Sequence, residues 1–270
     1  MGGFSGDKFD IIIQAGQSNA EGYGKGKASE EHSGSTAILY FNPDFTVTQA
    51  KEEPAVAANE WLFSGGAVNV ERKINNFSLA FARDCIKAGM LKDGRKLLVV
   101  RAAVGGTGFS DKRWGPSDDL FLRMMEMIKQ ALALNQENRL VVFLWHQGET
   151  DAINKVSREM HYANLKRLVS LVRNSFACPT LPFITADFVH EWKAQNMEIC
   201  DPVIAAIRDV CRDLQPAAFV ETGGLNSNNQ DTGNGDPIHF SREALNVLGK
   251  RYFDAFKNTN TVTDTFFSDS

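Results

Sequence analysis

The sequence lacks any run of about 18 apolar residues, and its opening MGGFSGDKFD lacks a basic stretch followed by an apolar one. We therefore expect no transmembrane helix and no membrane partner, and a cytoplasmic location by default unless a secretion signal has been removed. Charge of one sign is also missing, since 29 Lys and Arg against 33 Asp and Glu leave a formal net charge of −4. That balance argues against a nucleic-acid partner held by a basic surface.

Cysteine is scarce as well. The four cysteines form no CxxC pair and no Cys/His cluster, so we expect free thiols rather than a disulfide framework or a zinc site: Cys85, Cys178, Cys200 and Cys211. Apolar residues make up 43% of the chain and charged residues 23%, which is the usage of a globular protein and not of a disordered one.

Apolar segments rich in β-branched residues alternate with amphipathic segments along the chain. This alternation is typical of a parallel β-sheet flanked by helices, whose strands are buried on both faces. Five strands are predicted, over residues 9–15, 96–103, 140–145, 181–187 and 217–221. Helical spacing predicts helices over residues 77–88, 118–134, 157–175, 202–214 and 241–256.

Residues 23–76 interrupt this alternation with glycine, proline, charged residues and short strand-like pieces, AILYF and FTVTQ. We interpret them as a long excursion over the carboxyl end of the sheet, because loops of that length in compact domains are usually functional or disordered. The chain is thus divided into an N-terminal extension (1–8), a single domain (9–257) and a loosely attached tail (258–270).

Four segments carry residues whose chemistry suits catalysis. The first, QAGQSNAEGYG, places Ser18 at the carboxyl end of the first predicted strand, where open α/β sheets bind ligands. A nucleophilic serine needs this position, because a helical turn after it would direct backbone N–H groups at a developing oxyanion. The alternative is an ordinary polar turn and helix cap formed by Gln17, Ser18 and Asn19.

The second segment, VVRAAVGGTGFS, runs from a strand into Gly105, Gly106, Thr107 and Gly108. Glycine lets the backbone approach a substrate closely, so a peptide N–H here suits an oxyanion donor. A simple turn is the alternative, and no GK[ST] follows that would make a phosphate-binding loop.

The third segment, LVVFLWHQGETDA, ends a buried strand in a concentration of polar groups, which would be costly to bury by accident. The Gln147 amide suits a further oxyanion donor, with His146 and Glu149 bracing the loop. Two alternatives stay open: a divalent metal held by His, Glu and Asp, and a satisfied hydrogen-bond network without a catalytic role.

The fourth segment, GNGDPIHFSREA, places Asp236 three residues before His239, ahead of the last predicted helix. A serine hydrolase needs a histidine to accept the serine proton and a carboxylate to hold the imidazole in the correct tautomer. A helix-capping turn with incidental charge is one alternative. A calcium loop in DTGNGD is another, although its ligand alternation does not fit an EF-hand.

The remaining histidines and two tryptophans carry weaker signals. His32 and His161 have no comparable setting. His190 follows the fourth predicted strand and is a candidate for lining the crevice, as are Trp114 and Trp192, whose rings would suit a sugar.

Taken together, GQSN, VGGT, WHQGETDA and DPIH resemble the sequence blocks of the SGNH/GDSL hydrolase superfamily. The resemblance is strongest to its sialate O-acetylesterase-like group, which includes the acetylxylan esterases of carbohydrate esterase family 6, and it runs from residue 10 to about residue 256. It implies a three-layer α/β/α sandwich with a flavodoxin-like, five-stranded parallel sheet, the SGNH hydrolase fold.

By this resemblance Ser18 is the nucleophile, His239 the general base and Asp236 the acid that orients the base. The implied oxyanion hole is made by the backbone N–H groups of Ser18 and Gly106 and by the Gln147 amide. Supporting positions are implied for Gln17, Asn19, Gly105, His146 and Glu149. Whether Glu149 shares the role of Asp236 stays open. The resemblance implies neither a metal nor a cofactor.

The activity implied is removal of O-acetyl groups from carbohydrates through an acyl-enzyme, so we expect a carboxylic ester hydrolase whose partner is an acetylated carbohydrate. Two alternatives remain. One is a short-chain acyl or aryl esterase of the same fold, and the other is an inactive protein that binds carbohydrate. Specificity for one sugar would come from residues 23–76 and the other loops.

Overall fold

The computed structural model describes residues 6–26, 35–50 and 76–259. Within these ranges the strands are β1 (Lys8–Gly16), β2 (Ile38–Phe41), β3 (Val47–Gln49), β4 (Arg95–Arg101), β5 (Arg139–His146), β6 (Phe183–Ala186) and β7 (Ala217–Val220). The helices are α1 (Ser18–Glu21), α2 (Phe77–Lys87), α3 (Asp119–Ala133), α4 (Glu149–Ile153), α5 (Arg158–Ser175), α6 (His190–Gln195), α7 (Met197–Asp213), α8 (Asn228–Thr232) and α9 (Arg242–Asn258). No helix in the described ranges is long and apolar enough to cross a membrane.

All the described strands form one sheet in the order β3-β2-β4-β1-β5-β6-β7. Every neighbouring pair is parallel except β2 and β3, which pair antiparallel. Helices α2 and α9 pack against each other on one face, and α5 and α7 pack against each other on the opposite face. The prediction of a mostly parallel sheet between two layers of helices is confirmed.

The predicted count of five strands is wrong, because the sheet has seven in the described residues. The two additional strands, β2 and β3, come from the excursion and form a short hairpin that pairs with the edge of β4. Residues 35–50 therefore extend the sheet sideways instead of covering its carboxyl end. Residues 27–34 and 51–75 of the excursion, residues 1–5 of the predicted extension and residues 260–270 of the predicted tail lie outside the described residues.

One helix boundary was also predicted wrongly. The helix expected over 202–214 begins at Met197, and only Asn196 separates it from α6. Pro202 lies inside the helix. A proline has no backbone N–H and so removes one hydrogen bond of the helix. Here the loss lies near the start of the helix, and the helix continues on both sides of Pro202.

The three central strands, β4, β1 and β5, bring the first three segments together. Each segment follows one of these strands, and the carboxyl ends of adjacent parallel strands lie side by side. Backbone hydrogen bonds continue past the strands, from Val104 N to Gly16 O at 3.0 Å and from Gln17 N to His146 O at 2.9 Å. Gly16 has φ +123°, and a Cβ atom there would lie 2.0 Å from His146 O, so the close approach of β1 and β5 requires glycine.

Candidate active site

Ser18 lies at the turn between β1 and α1, as its position in the sequence predicts. It is the first residue of α1 and is 5% exposed. The Gln17 side chain holds the turn against the neighbouring strand, because its Oε1 accepts from Gly148 N at 3.4 Å and Thr150 N at 3.1 Å. The hydroxyl is thereby fixed at the carboxyl edge of the sheet.

His239 and Asp236 reach Ser18 from the loop before α9. His239 Nε2 lies 2.9 Å from Ser18 Oγ, and His239 Nδ1 lies 2.9 Å from both carboxylate oxygens of Asp236. The hydroxyl, imidazole and carboxylate thus form one hydrogen-bonded line, although Ser18 and His239 are 221 residues apart in the sequence. This is the arrangement in which a histidine can remove the serine proton while a carboxylate holds its opposite nitrogen.

The Asp236 carboxylate is ionised at neutral pH. Burial alone raises the pKa of Asp236, but hydrogen bonds from His239 and from Asn228 Nδ2, at 2.9 Å, outweigh burial and bring the pKa to about 2. The carboxylate also accepts from the His239 backbone N–H at 3.3 Å. A permanent negative charge beside Nδ1 favours the imidazolium that forms when Nε2 takes a proton.

Asn19 and Tyr23 hold His239 from two other directions. Asn19 Nδ2 donates to Ile238 O at 3.1 Å, and Asn19 Oδ1 accepts from Phe240 N at 3.0 Å, so one amide fixes the backbone on both sides of His239. The Tyr23 ring stacks on the imidazole with the centroids 5.1 Å apart and the planes 20° apart. The imidazole therefore has little freedom to turn away from Ser18.

The glycine loop that follows β4, residues 105–108, has a backbone N–H that is hydrogen-bonded within the protein and, in the described part of the chain, another that is not. The Gly105 N–H donates to Glu21 Oε2 at 2.6 Å. Gly106 has φ +68°, and neither its N–H nor that of Ser18 has an acceptor among the described residues. Both backbone donors are thus available to a further acceptor.

Gln147 and the glycine loop are both held by Asp151. This carboxylate accepts from Gln147 Nε2 at 3.0 Å, Ser110 N at 2.8 Å and Phe109 N at 3.2 Å, and its Oδ2 lies 3.2 Å from His161 Nδ1. Burial alone raises the pKa of Asp151, but the contacts with His161 and Ser110 outweigh it and bring the pKa to about 2. One Gln147 Nε2 hydrogen is thus used by Asp151, and no partner among the described residues uses the second.

His146 and Glu149 form a second, fully buried pair. Glu149 Oε1 accepts from Asn19 Nδ2 at 2.7 Å and lies 3.5 Å from His146 Nε2, while His146 Nδ1 lies 3.2 Å from Tyr252 Oη. Burial alone raises the pKa of Glu149, but the contacts with His146 and Asn19 outweigh it and lower the pKa. Glu149 has no direct contact with His239 among its described partners, and it reaches the His239 loop only through Asn19.

A model of the family described as "Carbohydrate esterase, sialic acid-specific acetylesterase" matches residues 8–258. The chain belongs to this family. It is therefore a carboxylic ester hydrolase of the carbohydrate esterases, and the predicted resemblance to the sialate O-acetylesterase-like group is confirmed.

Individual proteins agree with this membership. The chain is 30% identical over 106 residues to the probable carbohydrate esterase At4g34215 of Arabidopsis thaliana, a match that covers 39% of each chain and thus about two fifths of that relative's length. It is similar to the crystal structure of NanS, with a TM-score of 0.75 and 17% identity over 93% of this chain and 97% of that one. The solved structure of the Arabidopsis thaliana protein AT4G34215 gives a TM-score of 0.70 and 20% identity over 93% of this chain and 98% of that one. At these identities the two solved structures support the fold.

The two candidate tryptophans of this esterase are buried, and the described remaining histidines, His161 and His190, differ in exposure. Trp114 is fully buried and donates from Nε1 to Thr107 Oγ1 at 2.9 Å, so it braces the glycine loop instead of offering a face to a sugar. Trp192 is 7% exposed and packs near Phe188. His190 is exposed at the first position of α6, and His161 is buried beside Asp151. His32 lies outside the described residues.

The cysteines of this carbohydrate esterase are free thiols, as predicted. Burial raises the pKa of Cys200 and of Cys211 to about 12, so neither thiol is a nucleophile at neutral pH. Among the described residues, no group of three or more His, Cys, Asp or Glu side chains could hold a metal ion.

Sequence reasoning missed three residues that touch the site in the esterase structure: Glu21, Tyr23 and Asn228. Glu21 and Tyr23 follow Ser18 within five positions, so their closeness to the motif was a signal that they could line it. Asn228 had no signal, because it meets Asp236 only through the folding of a loop.

Proposed function

We propose that this esterase removes O-acetyl groups from carbohydrates by a Ser-His-Asp acyl-enzyme mechanism. The observation that carries the proposal is the hydrogen-bonded line from Ser18 Oγ through His239 to Asp236, with 2.9 Å at each step. The family description, which names an acetylesterase that acts on sialic acid, supports both the acetyl group and the carbohydrate.

In the first half of the reaction His239 Nε2 takes the Ser18 proton as Oγ attacks the acetyl carbonyl carbon. The carbonyl oxygen becomes an oxyanion, which accepts hydrogen bonds from the unpaired Ser18 and Gly106 N–H groups and from the free hydrogen of Gln147 Nε2. The ester C–O bond then breaks. The sugar oxygen takes the proton from His239 and leaves as an alcohol, and the acetyl group stays on Ser18.

Water completes the cycle. His239 removes a proton from water as the water oxygen attacks the acetyl-enzyme, and the same donors hold the second oxyanion. When the Ser18 ester bond breaks, His239 returns the proton to Oγ and acetate leaves. Asp236 keeps its charge throughout and stabilises the imidazolium at each stage.

The test is acetate release from a panel of acetylated saccharides, including O-acetylated sialic acid and acetylated xylan, by the wild-type protein and by Ser18→Ala. We expect release from at least one saccharide and a loss of several orders of magnitude in the variant, since removal of the nucleophile in such an enzyme costs about 10⁶ in kcat. Circular dichroism of both proteins controls for folding.

Three outcomes would contradict the proposal. Retention of more than about a tenth of kcat/KM, a loss of only about 1.4 kcal/mol in transition-state stabilisation, would remove Ser18 from the nucleophile's role. Saccharide binding without acetate release would indicate an inactive binding protein. A burst with 4-nitrophenyl acetate but no release from any saccharide would indicate an esterase for other acyl or aryl substrates.

A further inference from the structure

Asn228 is the first residue of α8 and is fully buried beside the Asp236 carboxylate. Its backbone N–H donates to His239 O at 2.8 Å, and its side-chain Nδ2 donates to Asp236 Oδ2 at 2.9 Å. A single residue therefore contacts both members of the Asp-His pair. The mechanism derived above gives Asn228 no role.

The other two contacts of the Asn228 amide reach the segment that follows the nucleophile. Nδ2 also donates to Tyr23 O at 3.0 Å, and Oδ1 accepts from Lys25 N at 2.7 Å. Because Lys25 N is a donor and Tyr23 O an acceptor, the amide cannot be turned over without losing both bonds. The orientation that puts an N–H on Asp236 is thus fixed by the backbone of Tyr23 and Lys25.

This connection matters because the Asp236 carboxylate is not held by burial alone. Its side chain is 21% exposed, so water competes for its oxygens. Oδ1 accepts from the His239 backbone and Oδ2 accepts from Asn228, and the two bonds together hold both oxygens against His239 Nδ1. Without the Asn228 bond only the His239 backbone N–H, at 3.3 Å, would hold the carboxylate, which could then rotate and offer Nδ1 a poorer geometry.

We propose that Asn228 is a positioning residue for the Asp-His pair, and that it joins this pair to the Tyr23–Lys25 backbone whose tyrosine ring stacks on His239. The inference rests on the proposed function. Asn228 acts through Asp236, so it affects the chemical step and leaves substrate binding nearly unchanged. Its N–H also stabilises the ionised form of Asp236 and thereby lowers the pKa of that carboxyl.

The experiment compares wild-type protein with Asn228→Ala and Asn228→Asp, using Asn229→Ala as the matched control. Asn229 is the next residue of α8, and its side chain binds Glu191 Oε1 at 2.8 Å and Gly235 N at 3.1 Å without touching the Asp236 side chain. For Asn228→Ala we expect kcat to fall about 10- to 100-fold, as small misplacements of reacting groups do, with KM changed less than twofold. Asn229→Ala should stay within about threefold of wild type in both constants.

The pH profile separates positioning from a structural role. Among the described residues the titratable groups that contact His239 are Asp236 and the stacked Tyr23, while Ser18 Oγ lies at Nε2. Asp236 receives the Asn228 bond. Removing that N–H leaves Asp236 more basic and favours the imidazolium, so the acidic limb of kcat/KM should move to higher pH in Asn228→Ala. Asn228→Asp, which adds a second carboxylate of the same shape, should move it further. A protein that is only less stable would show the acidic limb of kcat/KM at the same pH as wild type.

If the variants do not fold, the inference can be tested by NMR on the wild-type protein. In ¹⁵N-labelled protein the Asn228 side-chain amide signals should shift as His239 titrates, while those of Asn229 should not. A flat Asn228 response, or a folded Asn228→Ala with wild-type kcat and pH profile, would overturn the inference. Ser18→Ala in the same assays distinguishes this failure from failure of the proposed function, because only the latter leaves Ser18→Ala active.

Discussion

Two carboxylate–histidine pairs of the same spacing lie in this esterase, and only one of them faces Ser18. Asp236 and His239 are three residues apart in DPIH, and His146 and Glu149 are three residues apart in HQGE. The first pair is about one-fifth exposed, with 2.9 Å between the ring nitrogen and both carboxylate oxygens. The second pair is completely buried, with 3.5 Å between its nearest atoms.

The difference lies in what occupies the other ring nitrogen. His239 Nε2 faces the Ser18 hydroxyl, which is the nucleophile of the proposed mechanism. His146 Nδ1 faces Tyr252 Oη, whose hydrogen is donated to Trp145 O at 2.8 Å. Burial also raises the pKa of Tyr252 well above its usual value, so this hydroxyl does not ionise. The chemistry of a carboxylate–histidine pair therefore depends on the group at its far end, and not on spacing.

The buried pair still affects the exposed one, through Asn19. Glu149 Oε1 holds the Asn19 amide, and that amide binds the backbone before and after His239. Among the described residues Glu149 reaches the His239 loop through Asn19 and does not contact the His239 ring. This reading makes the two carboxylates separable by substitution.

The largest effect is expected for Asp236→Asn. The amide keeps the size of the carboxylate but removes its charge and permits the wrong histidine tautomer, a change that lowers kcat by about 10⁴ in a well-studied serine protease. The measurement is kcat on the best acetylated saccharide at several pH values. Asp231→Asn is the control, because Asp231 lies in α8 and accepts from Asn226 at 2.7 Å without reaching His239.

Near-normal turnover of Asp236→Asn beside a large loss in Glu149→Gln would reverse the assignment of the two carboxylates. Equal losses in both variants would show that the pairs act as one unit. In either case the different roles assigned to the exposed and the buried pair would be wrong.

A smaller effect on rate and a clear effect on stability are expected for Glu149→Gln. Glutamine Oε1 can still accept from Asn19, so we expect kcat to fall no more than about tenfold, the scale of a supporting contact and far below that of a triad member. The free energy of unfolding should fall by about 1–3 kcal/mol, because a buried group loses its hydrogen-bonded charge.

The stability loss should depend on pH. The pKa of Glu149 is lower in the folded protein than in the unfolded chain, so its charge stabilises the fold above the unfolded pKa of about 4.3. That stabilisation disappears as the pH falls through the folded pKa. Denaturant melts at pH 7 should therefore separate Glu149→Gln from wild type more widely than melts near pH 3, and an equal gap at both values would contradict this account.

Much of the site could be predicted because its residues follow strands. Ser18, Gly106 and Gln147 each come directly after a long apolar segment, and the carboxyl ends of parallel strands meet at one edge of a sheet. The fold was predictable for the same reason. The short hairpin of β2 and β3 was misplaced, because strands of four and three residues at a sheet edge carry too little apolar pattern to show where they pair.

The partners of these residues could not be predicted. DPIH and HQGE have the same spacing, and only the folded chain shows that one pair faces Ser18 and the other Tyr252. Asn228 lies in a short polar helix whose sequence has no apolar periodicity, and its bond to Asp236 spans eight residues. Trp114 was expected to be a candidate for the crevice, yet its burial under the glycine loop depends on a contact with Thr107 that no pattern encodes.

Chelation of metal ions is expected to leave the activity unchanged. The carboxylates proposed as alternative metal ligands are already used, since Glu149 binds Asn19, Asp236 binds His239 and Asn228, and Asp231 binds Asn226. The described residues also offer no group of three His, Cys, Asp or Glu that could hold an ion. We expect kcat/KM on an acetylated saccharide to be unchanged after exhaustive dialysis against EDTA, and unchanged again after calcium or zinc is added. Inactivation by EDTA with recovery on adding one of these ions would mean that a carboxylate–histidine pair serves as a ligand set, and both pairs would then have to be tested for metal binding before either is assigned to proton transfer.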